Sequence, residues 1–297
     1  MEASVLIDLI ISGIMIGGLY VIMALGLTLL FGIMGVINVA QIDFVILAAY
    51  IVYWMKRLYG VNPFISFIIT VPLLFVIGAI LEKLTVEPLQ KRTRSRGEFI
   101  RMTLPVFFGV AMVVRHSMTQ FWTGDYRAIT THLTGKAFTL DSIRIPYLRL
   151  LCFIGSILGV AVLYLFLEKT KTGKEVRALS QDVVAAQLCG VKIEKIRMIG
   201  FAIGIAIAGF AGYLFSFIYT FFPGAAGEWV PVMFCIMVAG GLGSTEGTML
   251  VGLLFGLIDS VVGYVHSLAL SRIIIFMIML VVLLFRPRGI LGKGLAG

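Results

Sequence analysis

Polar side chains embedded in long apolar segments are the residues of this sequence with the clearest chemical potential. Asn38, Gln41 and Asp43 lie within six residues of one another, and Arg115 lies in a separate apolar segment. Such groups are costly in lipid, and they normally face a water-filled cavity or bind a neighbouring helix. We therefore expect these residues either to line the path of a polar solute or to join helices by hydrogen bonds, and the pattern does not decide between the two.

Arg115 also has two possible roles. Its guanidinium could bind the carboxylate of a solute through two hydrogen bonds. It could instead form an ion pair with Asp43 or with Asp259, which is a further carboxyl group in an apolar segment. The ion pair is the favoured interpretation.

The sequence contains no motif for covalent catalysis or nucleotide hydrolysis. It lacks the G-x-x-x-x-G-K-[ST] phosphate loop, the H-E-x-x-H zinc motif and the G-x-S-x-G nucleophile elbow, and its histidines and cysteines are widely separated. We expect no catalytic residue and no metal site. A lipid-metabolising membrane enzyme that uses Asp43, His116 and Asp259 is disfavoured, because no paired acid–base motif lies on one helix.

Composition requires that the elements positioning these residues are membrane-spanning helices. Of the 297 residues, 60% are hydrophobic and 13% are charged, and the mean hydropathy is +1.06. Soluble domains contain about 25% charged residues. This excludes a soluble enzyme, a secreted disulfide scaffold and a disordered chain, and it predicts an all-α polytopic membrane protein. The N-terminal segment lacks the basic region of a signal peptide, so we interpret it as a retained first span.

A span needs about 20 mostly apolar residues. Suitable segments are residues 5–31, 33–54, 63–81, 102–122, 147–167, 198–221, two segments within 229–265, and 268–285. The two segments within 229–265 meet at a glycine-rich break over residues 240–247. The sequence therefore predicts 8–9 crossings, including broken helices, and residues 1–297 form a single transmembrane domain because no loop is large enough to fold independently.

Basic residues predict the orientation of the chain. Sixteen of the 24 Lys and Arg residues lie in the charged loops 82–101 and 168–197 and in the tail after residue 285. The positive-inside rule assigns these segments to the cytoplasm and residues 123–146 to the exterior. The net charge of +9 therefore indicates contact with anionic membrane lipid rather than with nucleic acid.

The second charged loop predicts a short cytoplasmic helix. Ser180 can cap its start and Gly190 can end it, with small apolar residues between them. Such a helix could dock in a groove of a partner protein. A solvated helix with no partner is an equal alternative on this pattern alone.

This loop resembles the cytoplasmic loop of the permeases of branched-chain amino acid type ABC importers, the LivH/LivM type. The matching residues are Gly173, Arg177, Ala178, Asp182, Ala185, Ala186, Gly190 and Val191. Residues 26–41, the Gly-Gly-Leu-Gly-Ser sequence at 240–244, and the Arg-Pro-Arg-Gly-Ile-Leu-Gly sequence at 286–292 also resemble family motifs, in the family's order.

The resemblance implies a type II-like ABC importer permease in the bacterial inner (plasma) membrane. It implies a second, homologous permease, two cytoplasmic ATPases that bind and hydrolyse ATP, and a periplasmic or lipid-anchored solute-binding protein. No cofactor is expected in this chain. The loop at about 168–197 would couple to an ATPase through residues that match the motif, namely Arg177, Asp182, Ala185, Ala186 and Gly190.

The solute is less well defined. The most direct expectation is a branched-chain or other amino acid, but the family's usual His-Gly is Gln41-Ile42 here, which leaves urea, short amides, nucleosides or aromatic acids as alternatives. A stand-alone secondary transporter or channel is the alternative of another class. Gly240, Gly241 and Gly243 are expected to act as hinges in the solute path or to allow close helix packing.

Overall fold

The chain folds as a bundle of long helices, as the composition predicts. A computed structural model describes residues 3–140 and 143–292. Within these residues the helices are α1 Ala3–Met34, α2 Gln41–Tyr59, α3 Phe67–Leu81, α4 Glu87–Arg92, α5 Arg96–Trp122, α6 Tyr147–Lys169, α7 Lys171–Gln181, α8 Val183–Leu188, α9 Ile193–Ile218, α10 Ala226–Gly240, α11 Thr245–Val265 and α12 Leu268–Phe285. Eight segments are long and apolar enough to cross a membrane. The helix α2 is of similar length, with 19 residues, but it contains the charged residues Asp43, Lys56 and Arg57.

Two predicted boundaries were wrong. The second predicted span starts at residue 33, but residues 35–40 are not helical, and α2 begins only at Gln41. Gly35 ends α1 with a φ of 69°, a backbone conformation that favours glycine. The predicted charged loop at 82–101 is largely helical, because a π-helical turn, Glu82–Val86, joins α3 to α4 and α5 already begins at Arg96.

The segments rich in basic residues collect at one end of the bundle, which we call the basic end. It comprises residues 82–101, 168–197, 240–247 and 286–292. Arg197 binds Glu82 there, with 2.9 Å between Nε and Oε1, and the break at Gly243 packs against Gly32 in the last turn of α1. The prediction that these segments share one side is therefore confirmed, and their cytoplasmic location remains a prediction.

The opposite end is formed by residues 60–66, 123–140, 143–146 and 219–225. The predicted polar stretch contains a hairpin that the sequence analysis missed, in which β1 Ala137–Leu140 pairs antiparallel with β2 Ile143–Pro146. Phe221 and Arg127 exchange two backbone hydrogen bonds, and the Lys56 ammonium group donates to the Thr130 carbonyl. The charged group of Lys56 therefore lies at this end of the bundle, outside the apolar core.

The centre of the bundle consists of α1 and α9, which pack against most of the other long helices. The most extensive contact between two helices is that of α1 with α11, and glycines allow their backbones to approach closely. A Cβ added at Gly256 would lie 2.3 Å from the Gly17 Cα, and one at Gly17 would lie 2.8 Å from the Leu253 Cα. Lipid provides no hydrophobic force between helices, so this close van der Waals packing is a main source of their association.

A Gly256→Leu substitution should therefore separate α1 from α11 and destabilise the protein. We expect a cost of about 1–3 kcal/mol or more, as for other overpacked interiors, measured as a lower unfolding temperature of the purified protein in detergent. Gly109→Leu is the matched control, because nothing lies within 4 Å of a Cβ added there. Equal stability of the two variants would contradict the role given to this contact.

Candidate functional site

The non-helical segment 35–40 leads into a buried pair of side-chain amides that lies among α1, α2 and α9. The Gln41 Nε2 donates to the Gly204 carbonyl of α9 at 2.9 Å, and the Asn38 Nδ2 donates to the Gln41 Oε1 at 3.1 Å. Both side chains are fully buried. A Cβ at Gly26 of α1 would lie 2.1 Å from the Gln41 Nε2, so glycine makes room for this amide.

This geometry corresponds to the helix-joining alternative for Gln41. Its amide links α2 to α9 through a carbonyl that is already part of a helix. Asn38 lies before α2 rather than within it, and its Oδ1 is buried without a hydrogen-bond partner in the described chain. Asn38 is therefore the member of this pair that retains capacity to bind a further polar group.

Asp43 and Arg115 form the ion pair that the sequence analysis favoured. The Arg115 Nε lies 3.1 Å from the Asp43 Oδ1, which joins α2 to α5. Asp43 is fully buried, whereas 35% of the Arg115 side chain is exposed. Arg115 therefore supplies the opposite charge that a buried carboxylate requires, and its side chain also reaches the bundle surface.

Asp259 belongs to a separate cluster. Its carboxylate accepts hydrogen bonds from the Tyr20 hydroxyl at 2.6 Å and from the Ser271 hydroxyl at 2.5 Å. These bonds join α11 to α1 and α12. The structure thus does not bring Asp259 to Arg115, and Asp43 is the aspartate that Arg115 binds.

The side chains exposed in the last two turns of α5 are polar except for Phe121. His116, Ser117, Thr119 and Gln120 are all exposed there, beside Arg115. At the same end of the bundle, all the side chains that are exposed in the first two turns of α3, starting with Phe67, are apolar. The start of α12 likewise exposes Leu268, Ala269 and Ile273.

Thr119 and Gln120 were not predicted as site residues from the sequence. The available signal was their spacing, because residues three and four positions after His116 lie on its side of a helix. A polar surface on one helix among apolar ones indicates contact with water or with a polar partner rather than with lipid.

The predicted glycine-rich break is present, and its glycines are tightly packed. A Cβ at Gly240 would lie 2.6 Å from Gly247, and one at Gly241 would lie 2.4 Å from Gly292. Gly241 and Gly243 have φ values of 112° and 82°. These contacts correspond to the packing alternative, and a hinge role remains a prediction.

The tail completes this break. Backbone amides of Ile290 and Leu291 donate to the carbonyls of Ala239 and Gly240, at 2.9 and 3.1 Å. Carbonyls at the end of a helix have no hydrogen-bond partner within the helix. The tail therefore supplies the donors for the last two carbonyls of α10. Breaks in a membrane helix are tolerated where the freed backbone groups find such partners.

The second basic loop forms α7 followed by the short helix α8. Ser180 was expected to cap this short helix, but it lies inside α7, and its hydroxyl donates to the Arg177 carbonyl. Asp182 is the cap instead, because its Oδ1 accepts from the backbone amides of Val184 and Ala185. An aspartate with two such bonds is a strong helix start.

The helix α8 ends as predicted before Gly190, whose φ is 82°. Ala186 is buried, so it holds α8 against the bundle, whereas Ala185 is exposed. Val184 is 66% and Leu188 84% exposed. We call residues 182–190 the hook. It presents apolar side chains that the described chain leaves uncovered.

The hook is attached to a rigid base. Gly173 of α7 is buried against the end of α6, where an added Cβ would lie 2.1 Å from the Phe166 carbonyl oxygen. Val176 and Leu179 are also buried, and α7 contacts α1, α6 and α9. Arg177 lies on the exposed side of α7. A force on the hook would therefore reach the centre of the bundle.

These features define a multi-pass membrane protein with broken helices, a polar helix surface and an exposed apolar hook. The chain belongs to the family described as the permease component of the branched-chain amino acid transport system, whose model matches residues 9–283. The resemblance found in the sequence is thereby confirmed.

Named relatives match over nearly the whole chain. The chain is 26% identical to the high-affinity branched-chain amino acid transport system permease protein BraD of Pseudomonas aeruginosa, over 96% of the chain and 95% of BraD. It is 29% identical to the probable permease protein LivH of Methanocaldococcus jannaschii, over 95% and 91%. It is 22% identical to LivM of Escherichia coli, over 92% and 68%. No solved structure matches.

The ion pair between Asp43 and Arg115 can be tested by a double-mutant cycle. Arg115→Gln leaves a buried carboxylate unpaired and should lower stability by about 3–5 kcal/mol. Asp43→Asn should cost less, because Arg115 is partly exposed, and the double variant should be more stable than Arg115→Gln alone. The measurement is unfolding of the purified protein, with His116→Gln as a neighbouring control. Strictly additive effects would show that the pair is not coupled.

Proposed function

We propose that this chain is the permease subunit of an ATP-driven importer that carries branched-chain or other amino acids across the inner membrane. In this proposal, the chain pairs with a second permease and with two cytoplasmic ATPases, and it receives its solute from a separate binding protein. The chain performs no covalent chemistry itself. Membership of the permease family supports the transport role.

The exposed apolar hook is the observation that carries the proposal. Val184 and Leu188 project from a basic, charged segment, and the positive-inside rule assigns that segment to the cytoplasm. Exposed apolar side chains in an aqueous setting indicate a binding surface for another protein. A groove on an ATPase is the partner proposed for it, and Asp182, Ala186 and Gly190 maintain the conformation of the hook.

The solute path is proposed to run along the polar surface of α5. Two permeases facing each other across this surface would enclose His116, Thr119 and Gln120 in a polar channel rather than in lipid. The Arg115 guanidinium, partly exposed beside them, could attract the carboxylate of an amino acid without leaving Asp43. Relatives with the names LivH and LivM both match this chain, which favours a homologous rather than identical second permease.

Coupling through the hook predicts a specific defect. Leu188→Glu should place a charge where an apolar contact is required, and it should reduce solute uptake by more than about tenfold, with loss of the ATPase from the purified complex. Gln187→Glu adds the same charge at a neighbouring exposed position and should have little effect. The readouts are uptake by vesicles and co-purification of the ATPase.

The same experiment separates the importer from a stand-alone secondary transporter. Uptake that persists in Leu188→Glu, or uptake that stops when ion gradients are collapsed while ATP is present, would contradict the proposal. Equal defects in the two variants would show that charge, rather than the apolar contact, is responsible.

The proposed path predicts water at α5 within the membrane. In a Cys189→Ser background, a cysteine at His116 should react with a charged, membrane-impermeant thiol reagent in the assembled complex. A cysteine at Leu73 of α3 is the control, because Leu73 and His116 each lie six residues from the end of their helix at the same end of the bundle, and Leu73 is exposed among apolar residues. Its reaction should be slower by on the order of tenfold, since thiolates are disfavoured in apolar surroundings. Equal rates would argue against a path along α5.

A further inference from the structure

A cavity of about 320 Å³ opens at the basic end, between the connection of α4 to α5 and the hook. The apolar part of its lining includes Ile33, Met34 and Phe99. The polar part includes Arg94, Arg96, Arg197, Ser95, Thr93 and Gln90. A lining that combines apolar and cationic side chains matches the two parts of an amphiphile.

The polar residues that line the cavity carry an excess of positive charge. The cavity is lined by three arginines and by no carboxylate. Arg197 is nearly buried and gives its Nε to Glu82, so its terminal nitrogens remain as possible donors. Within residues 3–140 and 143–292, Arg94 and Arg96 have no ion-pair partner. Each guanidinium presents a planar set of donors that fits phosphate oxygens.

Two long helices add to this potential. The first residue of α5 is Arg96 and the first residue of α9 is Ile193, and both line the cavity. The positive end of a helix dipole favours an anion. At α5 the Ser95 hydroxyl accepts from the Glu98 amide and the Glu98 carboxylate accepts from the Arg94 amide. Glu98 and Glu194, each in the first turn of its helix, therefore offset part of this potential.

We propose that this cavity binds the phosphate group of an anionic phospholipid. The arginines would bind the phosphate. The apolar side chains of Ile33, Met34 and Phe99 would contact the glycerol and the start of an acyl chain. Basic pockets between helices at the cytoplasmic side of a membrane are suited to such headgroups. The lipid would also touch Val183 at the start of α8, so its binding would fix the position of the hook relative to α5.

The test compares two pairs of substitutions in the purified full-length chain. Arg94→Gln with Arg96→Gln removes two charges that line the cavity. Arg92→Gln with Arg101→Gln removes two charges from the same segment outside it. Native mass spectrometry of delipidated protein would measure binding of phosphatidylglycerol, of phosphatidylcholine with the same acyl chains, and of inorganic phosphate. Circular dichroism would establish that both variants are folded.

We expect phosphatidylglycerol to bind the unchanged chain more tightly than phosphatidylcholine. The cavity variant should bind it about 30-fold more weakly, on the basis of about fivefold for each arginine, and the control variant should bind it normally. Binding of inorganic phosphate with the same dependence on Arg94 and Arg96 would support the phosphate site and identify a free anion as its source. Equal loss in both variants, or no loss in either, would overturn the proposal.

Discussion

A polar atom inside the membrane is costly without a partner in the protein, and this constraint accounts for the main polar contacts of the bundle. It explains why the Gln41 amide donates to the Gly204 carbonyl and why Asp43 pairs with Arg115. It also explains why Asp259 lies between two hydroxyl groups. The Asn38 Oδ1 is buried without such a partner, and the exposed polar side chains on the last turns of α5 mark a surface suited to water or to another subunit.

A second property of the structure is that the hook is connected to the central helices by directly packed elements. The hook is joined without a flexible linker to α7, and α7 is pressed against α6 by Gly173. The centre of the bundle, α1 and α9, lies directly behind it, and Gln41 then ties α9 to α2. Movement of the hook would therefore be passed to the helix that carries Asp43 and, through the ion pair, to α5. Glycine-mediated backbone contacts make this transmission stiff, because they leave little space in which helices can shift independently.

Much of this arrangement could be predicted from the sequence, because hydropathy and charge determine which segments enter lipid and which end they share. The spans, the break at 240–247 and the stop at Gly190 followed from local composition. The start of α2, the cap of α8 and the pairing of β1 with β2 did not, since each depends on choices between similar local signals. Asp182 rather than Ser180 caps α8 because α7 extends to Gln181. The partner of Gln41 lies in α9, and no local pattern contains that information.

The two hydrogen bonds from residues 290 and 291 to the end of α10 have a consequence for biosynthesis. During translation, the carbonyls of Ala239 and Gly240 must wait for their donors until α11 and α12 have been inserted and the segment behind them has left the ribosome. A chain that stalls inside α12 would therefore leave these two carbonyls, at the basic end of the bundle, without the backbone donors that they have in the complete fold.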